Sequence, residues 1–176
     1  MKTFILCFAF VAVVSAQEQE TAAGPVITEY GAVYKVQPDF KVDTDMEHRV
    51  VFDVASSPES HDEINALINT PARYLNMQAQ SGVSETKMKV AVVIHGGAYK
   101  DILTDAVYRE RFQTSNPNSG LVKALLSSGV EVILCGQTAG KREISKVDML
   151  PGVQLALSAM NALVQLQSKD YQMIAF

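Results

Sequence analysis

Two residues of this sequence join a reactive side chain to surroundings that could use it: Cys135 and His95. Cys135 follows the apolar, β-rich run of Val130, Val132, Ile133 and Leu134 and precedes Gly136, Gln137, Thr138, Gly140, Lys141 and Arg142. A buried strand that delivers a thiol to its carboxyl end places it where open α/β sheets bind ligands. The turn, the helix start and the two cations beyond it all favour a thiolate. His95 closes a second apolar run, KVAVVIH from Lys89, just before Gly96 and Gly97, where the backbone can turn sharply or approach a ligand closely. If the two strands are neighbours, both side chains open onto one crevice. A histidine there could take the proton of a thiol or stabilise its thiolate.

Other readings of the same residues stay open. Cys135 is equally well a small hydrophobe at a strand end, and a histidine at a strand terminus often only hydrogen-bonds a backbone carbonyl. The His-Gly-Gly run matches the oxyanion loop of esterases, yet no Gly-x-Ser-x-Gly accompanies it. A thiol hydrolase using Cys135 and His95 is a third alternative. Gly96 and Gly97 lack the Gly-Lys-Ser/Thr of a phosphate loop, and Lys141 with Arg142 could equally be a solvated helix start. His48 and His61 have no partner at ligand spacing, so neither a metal site nor a cofactor is expected.

The whole chain sets bounds on these sites. It has 176 residues and opens with Lys2, an apolar run from Phe4 to Val14, and the small Ser15 and Ala16 before Gln17. That pattern is a secretory signal peptide over residues 1–16, and the run is too short for a membrane span, which needs roughly 20 apolar residues. An exported protein, periplasmic or secreted and without stable membrane insertion, is therefore expected. Cleavage would remove Lys2 and Cys7, leaving 14 basic residues against 19 acidic ones and Cys135 as the sole cysteine. Such an acidic chain is a poor partner for nucleic acid. A lone cysteine in an exported protein is inert, paired between chains, or a reactive thiol.

Residues 17–47 read as a disordered leader, QEQETAAG, followed by an arm in which VITEYGAVYKV alternates around Gly31 as a short hairpin or extended segment. Residues 48–176 read as one α/β domain. Arg49 to Val54 is a strand. Ile64, Leu67, Ile68, Ala72 and Leu75 share a helical face, and Thr70-Pro71 predicts a kink or a second helix start. Asp101 to Phe112 carries a weak helical pattern and could be a flap. Asn116, Pro117 and Gly129 frame a helix. Ile144 to Leu150 predicts a short helix, Val153 to Leu166 a longer one buried over most of its circumference, and Tyr171 to Phe176 a last strand. This alternation predicts a three-layer parallel sheet with helices on both faces.

From Lys89 onward the chain resembles the DsrE/DsrF-like family, in KVAVVIHGG, in NPNSGLVKALLSSGVEVILCGQT, and in DMLPGV with the long helix and terminal strand after it. The resemblance implies a flavodoxin-like sheet, a homotrimer or homohexamer, and sulfur carried as a persulfide on a cysteine whose position Cys135 occupies. It further implies a sulfur donor or acceptor protein as partner and, if the chain is an enzyme, a sulfurtransferase-like carrier. Gly96, Gly97, Gly136, Gln137, Thr138, Lys141 and Arg142 are then the candidate substrate-binding residues around Cys135 and His95. The contrasting expectation is a non-catalytic module of the same fold that binds a small ligand or drives assembly, with Cys135 buried and inert.

Overall fold

The computed structural model describes residues 21–175; the expected signal peptide and the first residues of the leader lie outside them. A short antiparallel pair, β1 (Thr21–Ala22) and β2 (Val33–Tyr34), precedes the main domain. The domain then runs β3 (His48–Val54), α1 (Ala66–Gln80), β4 (Met88–Ile94), α2 (Asp105–Phe112), α3 (Ser119–Ser127), β5 (Glu131–Cys135), α4 (Gly136–Arg142), β6 (Gln154–Ala156), α5 (Ala159–Gln167) and β7 (Gln172–Ala175). Strands β3 to β7 form one parallel sheet in the order β6-β5-β4-β3-β7. Three layers result, as the alternation of elements requires.

Alternate residues of each strand face opposite sides, and the register sorts them. Val50, Phe52, Val54, Val92, Ile94, Val132 and Leu134 join Ile68, Ala72 and Leu75 of α1 and Leu121 and Leu125 of α3 in the larger core. Val51, Ala91, Val93, Ile133 and Cys135 face the other way, onto Ala159, Ala162 and Leu166 of α5. Burying one such aliphatic side chain stabilises by roughly 1.5–3 kcal/mol. The first face, with α1, α2, α3 and α4, therefore holds most of the stabilisation; the second has α5 alone, and the site lies on it.

Several elements depart from the pattern read in the sequence. Residues 66–80 form one helix, not two. Asn65 caps it, accepting from the Leu67 amide at 2.9 Å, while Pro71 sits inside it and is buried. The Thr70 hydroxyl donates to Ala66 O at 2.9 Å, so Thr70 bonds back into the helix and does not start a new one. Thr21 and Ala22, expected in the disordered leader, pair with Tyr34 and Val33. The arm is held to its own domain by Asn76, whose side chain accepts from Ile27 N and donates to the carbonyls of Ile27, Tyr30 and Gly31.

The flap reading of residues 101–112 is overturned by packing. A 3-10 run, Gly96–Ile102, leads into α2, and Ile102, Leu103 and Tyr108 are fully buried. Asn116 does not cap α3; it donates from its side chain to the carbonyls of Asp101 and Leu103, and α3 starts at Ser119. The short helix expected near Ile144 shrinks to a 3-10 turn at Lys146–Asp148.

The largest difference is at residues 153–166. Gln154–Ala156 joins the sheet as β6, pairing Gln154 with Ile133 and Ala156 with Cys135. The helix begins only at Ala159, where Ser158 accepts from the Asn161 amide at 3.1 Å. A free edge on β5 gains more from a fifth strand than the local helical period gains from two more turns. Nor is α5 buried over most of its circumference: Met160 and Val164 are 75% and 65% exposed.

Candidate functional site

β5 ends at Cys135, and the chain turns at once into α4, whose Ala139 packs in the larger core. β6 ends beside it, and its chain leaves for α5 on the opposite face. Two neighbouring parallel strands whose connections part to opposite faces leave a crevice at their carboxyl ends, the usual ligand position in open α/β sheets. Gly136 lets the two strand ends close together, since a Cβ there would lie 2.4 Å from Ala156 O.

A cavity of about 280 Å³ fills this crevice, with Asp53, His95, Cys135, Thr138, Met160 and Leu163 in its wall. Cys135 is a free thiol, 6% exposed, at the N-cap position of α4. Burial pushes its pKa up. The nearby Thr138 amide, Ala159 amide, Thr138 hydroxyl and Gln137 amide favour the ionised sulfur by more than that, so the thiol lies below its usual value. Gln137 and Thr138 belong to the first turn of α4 and Ala159 opens α5. The sulfur therefore sits between the amino ends of two helices on opposite faces of the sheet, each offering N–H groups to an anion.

Beside it, His95 Nε2 meets Asp53 Oδ1 at 2.9 Å. The Gly96 amide donates to Thr138 Oγ1 at 3.2 Å, tying the end of β4 to the start of α4. Gly96 has φ +55, and a Cβ there would lie 2.5 Å from Ala55 O. These glycines serve the turn against β3: the Gly97 amide donates to Ala55 O at 2.7 Å.

A sequence model described as the DsrE/DsrF-like family matches residues 50–176. The chain belongs to the DsrE/DsrF-like family. No curated protein matches it. Among solved structures it is similar to a protein of unknown function, MTH1491, from Methanobacterium thermoautotrophicum, with 23% identity and a TM-score of 0.56 over 73% of this chain and 99% of that one. It is also similar to the ychN protein of E. coli, with 17% identity and a TM-score of 0.54 over the same shares. At these identities the two structures support the fold alone.

Within this family fold, the structure gathers four of the residues singled out in the sequence around one cavity: His95, Cys135, Gln137 and Thr138. It does not bring the cations there. Lys141 and Arg142 lie in the last turn of α4, and the Arg142 guanidinium stacks 4.8 Å from the Tyr99 ring centroid. Support for a thiolate thus comes from amides and a hydroxyl. Gly96, Gly97 and Gly136 shape the turns around the cavity and are not in its wall.

Asp53 and the start of α5 went unread in the sequence. Asp53 left a faint trace, a lone acid inside the strand run VVFDV. Ser158, Ala159, Met160 and Leu163 were hidden because the helix was read as beginning before them. Among the described residues no cluster of three His, Cys, Asp or Glu side chains could hold a metal, and no helix is long and apolar enough to cross a membrane.

Proposed function

We propose that this chain is an exported, oligomeric sulfur-handling protein that carries a sulfane sulfur as a persulfide on Cys135. The observation that carries the reading is the sulfur itself, in the wall of a crevice and supported by hydrogen bonds from two helix starts. The Cys135 thiolate attacks the outer sulfur of a donor persulfide, R–S–S–H. The S–S bond of the donor breaks, R–S⁻ leaves with the electron pair, and Cys135–S–S–H forms; attack by an acceptor thiolate on the outer sulfur reverses the sense. The apolar Ala159, Met160 and Leu163 line the crevice around the persulfide. Family membership supports the sulfur-relay character.

Assembly as a homotrimer or homohexamer is supported by an uncovered apolar stripe on and before α5. Leu157, Met160 and Val164 are 71%, 75% and 65% exposed, and Met160 also lines the crevice. A partner seated there would close the crevice mouth, and light scattering of the purified protein reports the subunit number. Export is supported by the pattern of residues 1–16, and sequencing the amino terminus of the mature protein tests it, with Gln17 expected first.

The decisive experiment exposes the protein to an alkyl persulfide and weighs it intact. One added sulfur atom is expected in the native protein and none in Cys135→Ala; no gain, or an equal gain in the variant, ends the proposal. The low exposure of Cys135 favours a second reading, a non-catalytic module with an inert thiol. Slow alkylation with a midpoint near the free-thiol value of about 8.5 would support that one.

A further inference from the structure

We propose that Asp53 is a positioning residue of the crevice, orienting His95 so that its ring receives the proton released when Cys135 ionises. This rests on the reading of Cys135 as a working thiolate and adds a residue to it. Three strands supply the three groups. Asp53 of β3 pairs with Val93 of β4, and Val93 pairs with Ile133 of β5. Side chains two residues apart share a face, so one step further along the strands His95 comes beside Cys135 on the face that α5 covers. All three line the same cavity.

The hydrogen bond decides how the ring is used. An ionised carboxylate only accepts, so in the 2.9 Å contact His95 Nε2 holds the proton and Asp53 Oδ1 takes it. The neutral ring then keeps its lone pair on Nδ1, which has no hydrogen-bond partner among the described residues. Apart from Asp53, whose Oδ1 is engaged by the ring, no other base lines the cavity among the described residues. Cys135 comes from β5; α4 contributes Gln137 and Thr138; α5 and its cap contribute Ser158, Ala159, Met160 and Leu163, none of which titrates in the working range. Lys141 and Arg142 are outside it.

An acid on this face of β3, next to Val51 and facing the smaller core, costs stability where an apolar residue would add it. Its side chain is 25% exposed, that of His95 29%, and their mutual hydrogen bond is the one polar contact of either side chain among the described residues. The step itself moves one proton. The Sγ–H bond breaks, an N–H bond forms at Nδ1, the electron pair stays on sulfur, and nothing is oxidised. The imidazolium keeps its Nε2–H on Asp53, and its charge then faces the thiolate.

The test is the pH profile of Cys135 alkylation by the neutral reagent iodoacetamide on the intact protein. Asp53→Asn is expected to raise the midpoint by about one unit, so that the rate below the native midpoint falls about tenfold while the high-pH plateau is unchanged. His95→Ala should do the same, the double variant should fall no further than either single one, and Asp53→Glu should recover part of the loss. A merely structural role would lower the melting temperature and leave the midpoint in place. A native midpoint in Asp53→Asn, or losses that multiply in the double variant, overturns the inference while leaving Cys135 reactive. If the native Cys135 is itself unreactive below pH 8, the functional reading fails first. Should the variants not fold, nitrogen-15 NMR of the native protein decides: the Nε2–H tautomer of His95 is required, and the Nδ1–H tautomer refutes the proposal.

Discussion

Thr138→Val isolates the hydrogen bonding that lowers the thiol. The substitution keeps the shape of the side chain and removes one hydroxyl, which acts twice: it favours the ionised Cys135 sulfur and accepts the Gly96 amide at 3.2 Å. The backbone amides of Gln137, Thr138 and Ala159 stay. A hydrogen bond to a charged group is worth about 1.5–3 kcal/mol, and one pH unit corresponds to about 1.4 kcal/mol. The thiol midpoint should therefore rise by about one to two units, and at a pH below the native midpoint the thiolate fraction should fall about tenfold or more. Thr138→Ser, which keeps the hydroxyl, should stay near the native value. The assay is the rate of iodoacetamide alkylation against pH. The same change should appear in stability. A thiol whose folded pKa lies below its unfolded value adds stability that is present above the unfolded pKa and lost as pH falls through the folded one, so urea midpoints should rise with pH less steeply in Thr138→Val. A Thr138→Val protein that folds and alkylates with the native midpoint would refute the claim that side-chain hydrogen bonding, and not the amides alone, depresses the thiol.

Two further predictions concern the frame around the site. Asn76 is fully buried, and Asn76→Ala leaves Ile27 N–H and three arm carbonyls without their partner. At about 1–3 kcal/mol for each buried group left unpaired, the arm should release, with the loss of hydrogen-exchange protection at Ile27 and Gly31 but not in β4; retained protection at Ile27 would contradict the assignment. Asp101 is fully buried, and burial raises its pKa from 3.8 to about 6 against the opposing hydrogen bonds from Asn65 and Ser57 and the charge of Lys100. Its contribution to stability is therefore full below pH 3.8 and disappears as pH rises through 6, on the order of 3 kcal/mol in all. Urea midpoints of the native protein should carry this fall between about pH 4 and 6, and Asp101→Asn should remove it; an identical slope in the variant would count against a buried, titrating Asp101.

The parts of the site that were legible in the sequence are those whose signal is local. KVAVVIH and VEVILC are strands on composition alone, because a strand covered on both faces is apolar throughout, and each ends in a residue with chemistry. Nothing local separates Gln154–Ala156 from a helix: the segment is three residues long, flanks a true helix, and becomes β6 only because β5 offers an unpaired edge. That single misreading hid most of the rest. With the helix starting at Val153, Ser158 lay in its interior, and so did the amide of Ala159, with a partner already assigned. In the structure Ser158 is the cap, Ala159 begins α5, and its amide is free to meet the sulfur.

The same displacement explains why Lys141 and Arg142 looked like the source of a thiolate. In sequence they are the nearest cations to Cys135, but α4 carries them about two turns away along its axis, at roughly 1.5 Å per residue, and only its first turn faces the crevice. The donors that reach the sulfur are amides from two helices that are far apart in sequence, which meet because the chain leaves β5 toward one face and β6 toward the other. A crevice formed by that divergence can hold an anion without help from Lys141 or Arg142. It follows that salt, which screens exposed charges over about 10 Å at 0.1 M, should change Cys135 reactivity far less than loss of the Thr138 hydroxyl does.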